Sequence, residues 1–385
     1  MVDQIASNVN MVKVYYYRCD FFLNNGEIFP YHLTIGFADM EETHMKKQSV
    51  IMIIVLLLFT FFAAAAINDY EASEEGYTKM RQELGKLFRE KKFSEAIALV
   101  KKHYNKYPGH LMAMSFNLAA LYNSTQEYQK GIRVMRDAQK KGIWYSIWAL
   151  EGEFFKEFRK YKSFKRVLEN NKKMHAAAEA GAESLFEVRT PENFDPEKPY
   201  PLFIALHGGD GHIKEFRPNW DSDKLKKEFI VLYVQSSQMS SMDGYHWEDK
   251  ARTAGDVMRA YRDTSSKYNI DRKRILIGGF SSGGGASLHL SFNGDIPVTG
   301  FISLCPALPG TITAETVSAA VKKGLSGTIL TSELDGRIKD QRALADLMGH
   351  NGLQYQFVVT PNIGHWFPED FDKKLDQAIV HIFSR

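Results

Sequence analysis

Three residues of this chain, met in the order serine, acid, histidine, have the types and spacing to do chemistry. Ser281 stands in Gly279-Phe280-Ser281-Ser282-Gly283, a G-x-S-x-G pattern. Asp335 follows in Ser332-Glu333-Leu334-Asp335-Gly336, and His365 in Asn362-Ile363-Gly364-His365-Trp366. A serine hydroxyl is a weak nucleophile until a neighbouring base takes its proton. Histidine does this best when a carboxylate fixes its tautomer and stabilises the imidazolium. The chemistry implied is acyl transfer, with Ser281 attacking, His365 shuttling the proton and Asp335 orienting the ring. Glu333 is the second candidate for the acid, close enough to the same strand end to reach.

The flanking residues say what must hold the serine. Arg274-Ile275-Leu276-Ile277-Gly278 reads as a buried strand, and Gly284-Gly285-Ala286-Ser287-Leu288-His289-Leu290 opens an apolar helical pattern. Strand, sharp turn and helix around G-x-S-x-G make a nucleophile elbow. Glycines two before and two after the serine leave room for a turn that side chains would block. The helix N-terminus behind it favours developing negative charge. Acyl transfer also needs two N–H donors aimed at the tetrahedral oxygen. The elbow supplies that of Ser282. A second strand, Pro201 to Leu206, runs into His207-Gly208-Gly209-Asp210-Gly211, a loop whose Gly209 N–H is the expected second donor. His207 precedes the nucleophile and reads as a packed, hydrogen-bonded loop residue rather than as the base.

Further apolar runs predict strands near 183–189, 200–206, 229–235, 274–280, 298–304, 327–331 and 353–360. Helical periods fit 250–268, 283–292, 313–323, 338–350 and 369–383. Such alternation means a mostly parallel sheet covered on both faces, and open sheets of this class place their sites at the carboxyl ends of the strands. Ser281, Asp335 and His365 all fall at such ends. The longest connection, Ser236 to Asp249, is expected to overhang the site, with Trp247 either a wall for substrate or an aromatic packed under the loop.

LHGGDG at 206–211, RILIGGFSSGG at 274–284, the LDG around Asp335 and GHWF at 364–367 are together similar to the α/β-hydrolases of the carboxylesterase/phospholipase group. That group includes dienelactone-hydrolase-like and acyl-thioesterase-like enzymes. The resemblance covers residues 183–385. It implies an α/β-hydrolase fold and cleavage of carboxylic esters through an acyl-enzyme, with no cofactor and no metal. Dienelactone hydrolases proper would carry a cysteine nucleophile, where this chain has Ser281. A serine peptidase or thioesterase of the same fold is the nearest rival. An inactive binding protein that works through its helical half is the rival from another class.

That helical half spans residues 75–180, rich in Lys, Glu, Ala, Leu and Tyr with a 3.6-residue apolar period. Lys92-Phe93-Ser94-Glu95-Ala96-Ile97 recurs as Glu127-Tyr128-Gln129-Lys130-Gly131-Ile132, and weakly as Ser163-Phe164-Lys165-Arg166-Val167-Leu168. This resembles degenerate tetratricopeptide repeats, whose helix pairs pack aromatic against small residues. It reads either as a groove for a protein or peptide partner or as a helical cap packed on the hydrolase.

Met45-Lys46-Lys47, the apolar run Val50 to Phe62 and Ala63-Ala64-Ala65-Ala66 form a secretory signal pattern over residues 45–66. Residues 1–44 then read as an upstream extension, with the true start at Met45. A secreted or envelope protein follows. The alternative is an uncleaved anchor facing outward, since the apolar stretch approaches the ~18 residues of a spanning helix. The net charge of +3 over 385 residues gives no argument for nucleic acid. The two cysteines, Cys19 and Cys305, form neither a disulfide framework nor a metal spacing. Cys305 is expected as a small core residue of a strand. The substrate is left as a small-molecule, polysaccharide or lipid ester.

Overall fold

The computed structural model describes residues 73–384. The expected extension 1–44 and the signal pattern 45–66 lie outside the described residues. Among the described residues no helix is long and apolar enough to cross a membrane.

The described residues open with helices α1 (Glu74–Arg89), α2 (Phe93–His103), α3 (Leu111–Ser124) and α4 (Tyr128–Gln139). Ser73 starts the first by accepting the Gly76 N–H on its Oγ at 3.1 Å, a side-chain cap on an otherwise orphan donor. Tyr77, Met80 and Leu84 of α1, at helical spacing, are buried together with Ala96 and Val100 of α2 and Met114, Leu118 and Leu121 of α3. At Gly131 of α4 a Cβ would stand 2.6 Å from the Phe158 ring and 3.0 Å from the Ala119 carbonyl oxygen of α3. Two further helices, α5 (Ile147–Glu151) and α6 (Lys162–Glu179), complete this part. Phe155, Phe158 and Phe164 are fully buried in its second apolar cluster.

The second part alternates strand and helix. Its main strands are β1 (Leu185–Arg189), β2 (Tyr200–Leu206) and β3 (Ile230–Gln235). A two-residue hairpin follows, β4 (Gln238–Met239) with β5 (Tyr245–His246). Then come β6 (Ile270–Phe280), β7 (Gly300–Leu304), β8 (Ser326–Ser332) and β9 (Gln354–Thr360). The seven-stranded sheet has the order β1-β3-β2-β6-β7-β8-β9. Only β1 pairs antiparallel, with Leu185 opposite Gln235; every other pairing is parallel. Side chains alternate across such a sheet. Leu202, Ile204 and Leu206 of β2 therefore enter one core with Leu232 and Val234, while Phe203 and Ala205 enter the other with Val231 and Tyr233.

Helices α7 (Ile213–Phe216) and α8 (Asp223–Glu228) lie between β2 and β3. Helix α9 (Lys250–Lys267) precedes β6, and α10 (Ser282–Asn293), α11 (Ala314–Lys322), α12 (Ile338–His350) and α13 (Phe371–Phe383) follow the later strands. The parallel order, the single antiparallel edge strand and the helices on both faces are the α/β-hydrolase fold.

The two parts are joined by polar contacts from α6. The Arg252 guanidinium pairs with Glu179 at 2.7 Å, and His175 Nε2 meets the Met239 carbonyl oxygen at 2.8 Å. Between them runs a groove of about 900 Å³, lined among others by Tyr77, His110, Phe116, Asp210, His212 and Asp243.

Candidate active site

Ser281 is built by the turn between β6 and α10. Its backbone sits at φ 55°, ψ −114°, a region a side-chain-bearing residue enters only when its surroundings force it there. The surroundings are explicit. The Ser281 N–H donates to the Leu304 carbonyl at 2.9 Å, and its own carbonyl accepts from Gly285 at 3.0 Å and Ala307 at 2.9 Å. A Cβ on Gly279 would lie 2.2 Å from the Gly283 carbonyl oxygen. One on Gly283 would lie 2.2 Å from the His207 carbonyl oxygen and 2.8 Å from that of Leu206. Those partners are backbone and cannot swing away. Gly283→Ala is therefore expected to cost about 1–3 kcal/mol of stability and to spread the elbow from the end of β2. Denaturant midpoints and ester turnover of the variant check this; unchanged stability would contradict it.

The turn brings three distant side chains together. His365 Nε2 lies 2.8 Å from Ser281 Oγ, and His365 Nδ1 lies 2.8 Å from Asp335 Oδ2. Asp335 is almost fully buried, at 3% exposure. Burial alone would raise its carboxyl, but the His365 N–H, the backbone N–H of Arg337 at 2.9 Å and the Gln341 amide at 3.4 Å more than offset this and hold it below the ordinary carboxylate range. Gln341, fully buried on α12, also donates to the Pro306 carbonyl at 3.1 Å and accepts from the Thr331 hydroxyl. It ties the acid's turn to β8 and to the loop after β7. Glu333, the other candidate acid, is exposed and accepts the Asn362 backbone N–H at 2.9 Å. It steadies the histidine loop and does not meet the ring.

The loop after β2 stands opposite. Gly209 and Ser282 are neighbours, since a Cβ on Gly209 would be 3.3 Å from the Ser282 Oγ. Among the described residues neither backbone N–H is engaged by another backbone group. The Ser282 hydroxyl oxygen is itself buried without a partner. The loop is pinned from behind by His207, whose ring N–H at Nδ1 donates to the Gly208 carbonyl at 2.6 Å while Nε2 accepts the Ser236 backbone N–H at 3.2 Å. Those two bonds fix a neutral ring, and complete burial pushes its pKa down to about 4. The Asp210 carboxylate accepts from the Ser240 and Ser241 hydroxyls, both at 2.6 Å, tying the loop to the β4–β5 hairpin.

Of the two readings of Trp247, the wall of the substrate site is corrected and the aromatic packed under the loop is the one found. Its side chain is 2% exposed, its ring centroid lies 4.7 Å from that of His207, and its indole N–H donates to the His207 carbonyl at 2.9 Å. An indole N–H taken out of water needs a partner, and the loop supplies one, so Trp247 props the loop from beneath.

A prediction follows from His207. Between its ordinary pKa of about 6.5 and about 4, the unfolded chain binds a proton that the folded chain refuses. Stability is then full above the first value and declines as pH falls toward the second. Melting temperature measured across that range should drop. His207→Gln, which keeps a donor and an acceptor but does not titrate, should flatten the decline.

Cys305 is a buried core residue as expected, but its place in the chain differs. It lies just past the end of β7 at φ 46°, not within the strand. Its Sγ and the ligand atoms of Asp335 and His365 lie within 4.8 Å of one another. This is the group among the described residues that offers metal-ligand atoms at such spacing. It is poorly suited to the task, because burial pushes the thiol up to about 11 and the other two ligands are engaged with each other. Neither Cys305 nor Gln341 carries a motif that would have marked it in the sequence.

No protein-family model matches the chain. Over 114 residues it is 30% identical to a bifunctional acetylxylan esterase/xylanase of Neocallimastix patriciarum, covering 29% of this chain and 16% of that protein. Over 221 residues it is 27% identical to a putative dipeptidyl aminopeptidase of Schizosaccharomyces pombe, covering 48% and 25%. The chain thus spans a quarter or less of the length of these curated relatives. Among solved structures, an uncharacterized protein of Bacillus cereus superposes with a TM-score of 0.45 at 25% identity, over 80% of this chain and 99% of that one. An esterase of Thermogutta terrifontis superposes with a TM-score of 0.41 at 14% identity, over 53% and 94%.

Proposed function

We infer that the protein is a serine hydrolase that cleaves carboxylic esters through an acyl-enzyme. The observation that carries this reading is the continuous chain Ser281 Oγ, His365 Nε2, His365 Nδ1, Asp335 Oδ2, with 2.8 Å at both hydrogen bonds and the serine on a strained turn. In the proposed reaction His365 takes the Ser281 proton as the oxygen attacks the ester carbonyl. Asp335 keeps Nδ1 protonated and stabilises the imidazolium. The N–H groups of Ser282 and Gly209 receive the oxyanion. His365 then returns the proton to the leaving alcohol, and water repeats the sequence on the acyl-enzyme. Every group required belongs to the chain.

Esterase activity is favoured over peptidase activity by the first curated relative, whose name includes acetylxylan esterase. The dipeptidyl aminopeptidase likeness supports the second reading, cleavage of amides at the same serine. A panel of aryl esters of graded acyl length, run beside dipeptidyl anilides, separates the two. The ester reading expects saturable turnover and a burst of aryl alcohol at high enzyme concentration. Turnover of the anilides alone would overturn it.

The proposal extends to the helical part and to location. The groove beside Asp210 and His212 is a place where a peptide or polymeric substrate partner would meet both parts of the chain. Export rests on the signal pattern at 45–66, and N-terminal sequencing from the native host tests it, with a mature terminus near Ala66 or Ile67 expected.

A further inference from the structure

Arg337 stands two residues beyond the acid and is exposed. Its Nη1 lies 3.5 Å from His365 Nδ1 and 3.4 Å from His365 Nε2. Both ring nitrogens already have partners, Asp335 Oδ2 and Ser281 Oγ. One nitrogen in reach of both therefore lies over the face of the imidazole rather than in its plane. A guanidinium is charged at any working pH. Among the described residues no carboxylate forms an ion pair with this one, a state it shares with Arg259, which bonds Ser184, and Arg342, which lies over the Phe357 ring. Leu334 and Trp366, the chain neighbours of Asp335 and His365, are 66% and 59% exposed.

The arrangement has a cost during reaction. When His365 takes the serine proton, a second cation forms in contact with the first. An anion on Arg337 would offset that repulsion as the charge develops. Which half of the ester carries the anion follows from direction. His365 Nε2 gives its proton to the leaving oxygen, so the alcohol half of the ester lies beside this imidazole, while the carbonyl oxygen points at Gly209 and Ser282. The geometry points to Arg337 as the binding site for a carboxylate on the alcohol half of the substrate, so that the enzyme deacylates O-acylated hydroxy acids. The proposal rests on the ester-hydrolase reading above.

A matched pair of acetyl esters tests it, 4-acetoxybenzoate against the neutral 4-acetoxybenzamide. The quantity read is the ratio of their kcat/KM values for wild type, Arg337→Gln and Arg337→Lys, with melting temperatures confirming that the variants fold. An exposed ion pair of this kind predicts a wild-type preference for the carboxylate of about two- to fivefold. Arg337→Gln should abolish the preference and Arg337→Lys should retain part of it. Added salt should erode it in the wild type itself, because exposed charges are screened; that measurement needs no variant. A wild type that hydrolyses both esters at a ratio near one, or a ratio unchanged by Arg337→Gln, overturns the assignment and leaves the esterase reading standing. A wild type that hydrolyses neither ester, and no other aryl ester, removes both.

Discussion

Ser281→Ala is expected to abolish ester turnover, by on the order of 10⁶-fold in kcat, the loss seen when a triad nucleophile is removed. The fold should survive. The hydroxyl oxygen makes a single contact within the site, to His365 Nε2, whereas the strained backbone is held by main-chain bonds to Leu304, Gly285 and Ala307 that alanine keeps. A melting temperature near that of the wild type, together with turnover at the level of the uncatalysed reaction, is the expected pair of results. A variant that keeps a tenth of the wild-type rate would remove the serine from the mechanism.

The acid makes the second large prediction. Asp335→Asn should lower kcat by about 10⁴-fold, as an amide at this place turns the histidine to the wrong tautomer. Glu333→Gln should cost no more than a few-fold, because that carboxylate meets the Asn362 N–H and not the ring. The contrast between two acids two residues apart is the informative measurement. Side by side kcat values in one buffer give it, and the reverse ranking would reassign the acid.

Asp335→Asn also has a stability consequence whose sign is fixed. The Asp335 carboxyl is held below its ordinary value in the folded chain. Its interactions therefore stabilise the fold at pH above the ordinary carboxylate range and fade as pH falls through the depressed value. The asparagine variant should lose stability at neutral pH and converge on the wild type in strong acid.

The parts of this molecule that the sequence made legible are those written in periodicity and in glycine. The apolar run at 200–206 announces β2 because six of its seven residues are buried, whereas β9, expected at 353–360, is marked by Tyr355 and Phe357-Val358-Val359 although its residues are only half-buried at the sheet edge. The start of β6 was not visible. Asp271-Arg272-Lys273-Arg274 are polar and partly or fully exposed, yet the strand begins at Ile270. There the backbone pairs with Tyr200 beyond the buried stretch, across a register shift. The β4–β5 hairpin was invisible for a simpler reason, since two residues per strand carry no period. Ser281, Asp335 and His365 could be named from local pattern and chain order, and the structure sets them within hydrogen-bond reach of one another.

What surrounds the three could not be read in advance. Gln341 reaches the acid only because α12 folds back over Pro306, and Arg337 reaches the imidazole face only because two loops far apart in sequence meet. Trp247 could be placed on the loop but not above or below it. Its depth was decided by the need to give a buried indole N–H an acceptor, which the His207 carbonyl supplies. In the helical part Gly131 packs under Phe158, a ring that lies outside the repeated aromatic positions. What occupies the groove beside this part is a matter of surface chemistry that periodicity does not encode.

The most direct test of the central claim is covalent labelling by a fluorophosphonate followed by peptide mapping. A serine is phosphonylated at an appreciable rate only when a base takes its proton and an oxyanion site receives the charge, so the experiment reads the whole arrangement at once. The prediction is one phosphonyl group per chain, on Ser281, with labelling lost in Ser281→Ala and slowed strongly in Asp335→Asn. A folded wild-type protein that takes up no label, or takes it up on Ser282 instead, would contradict the account.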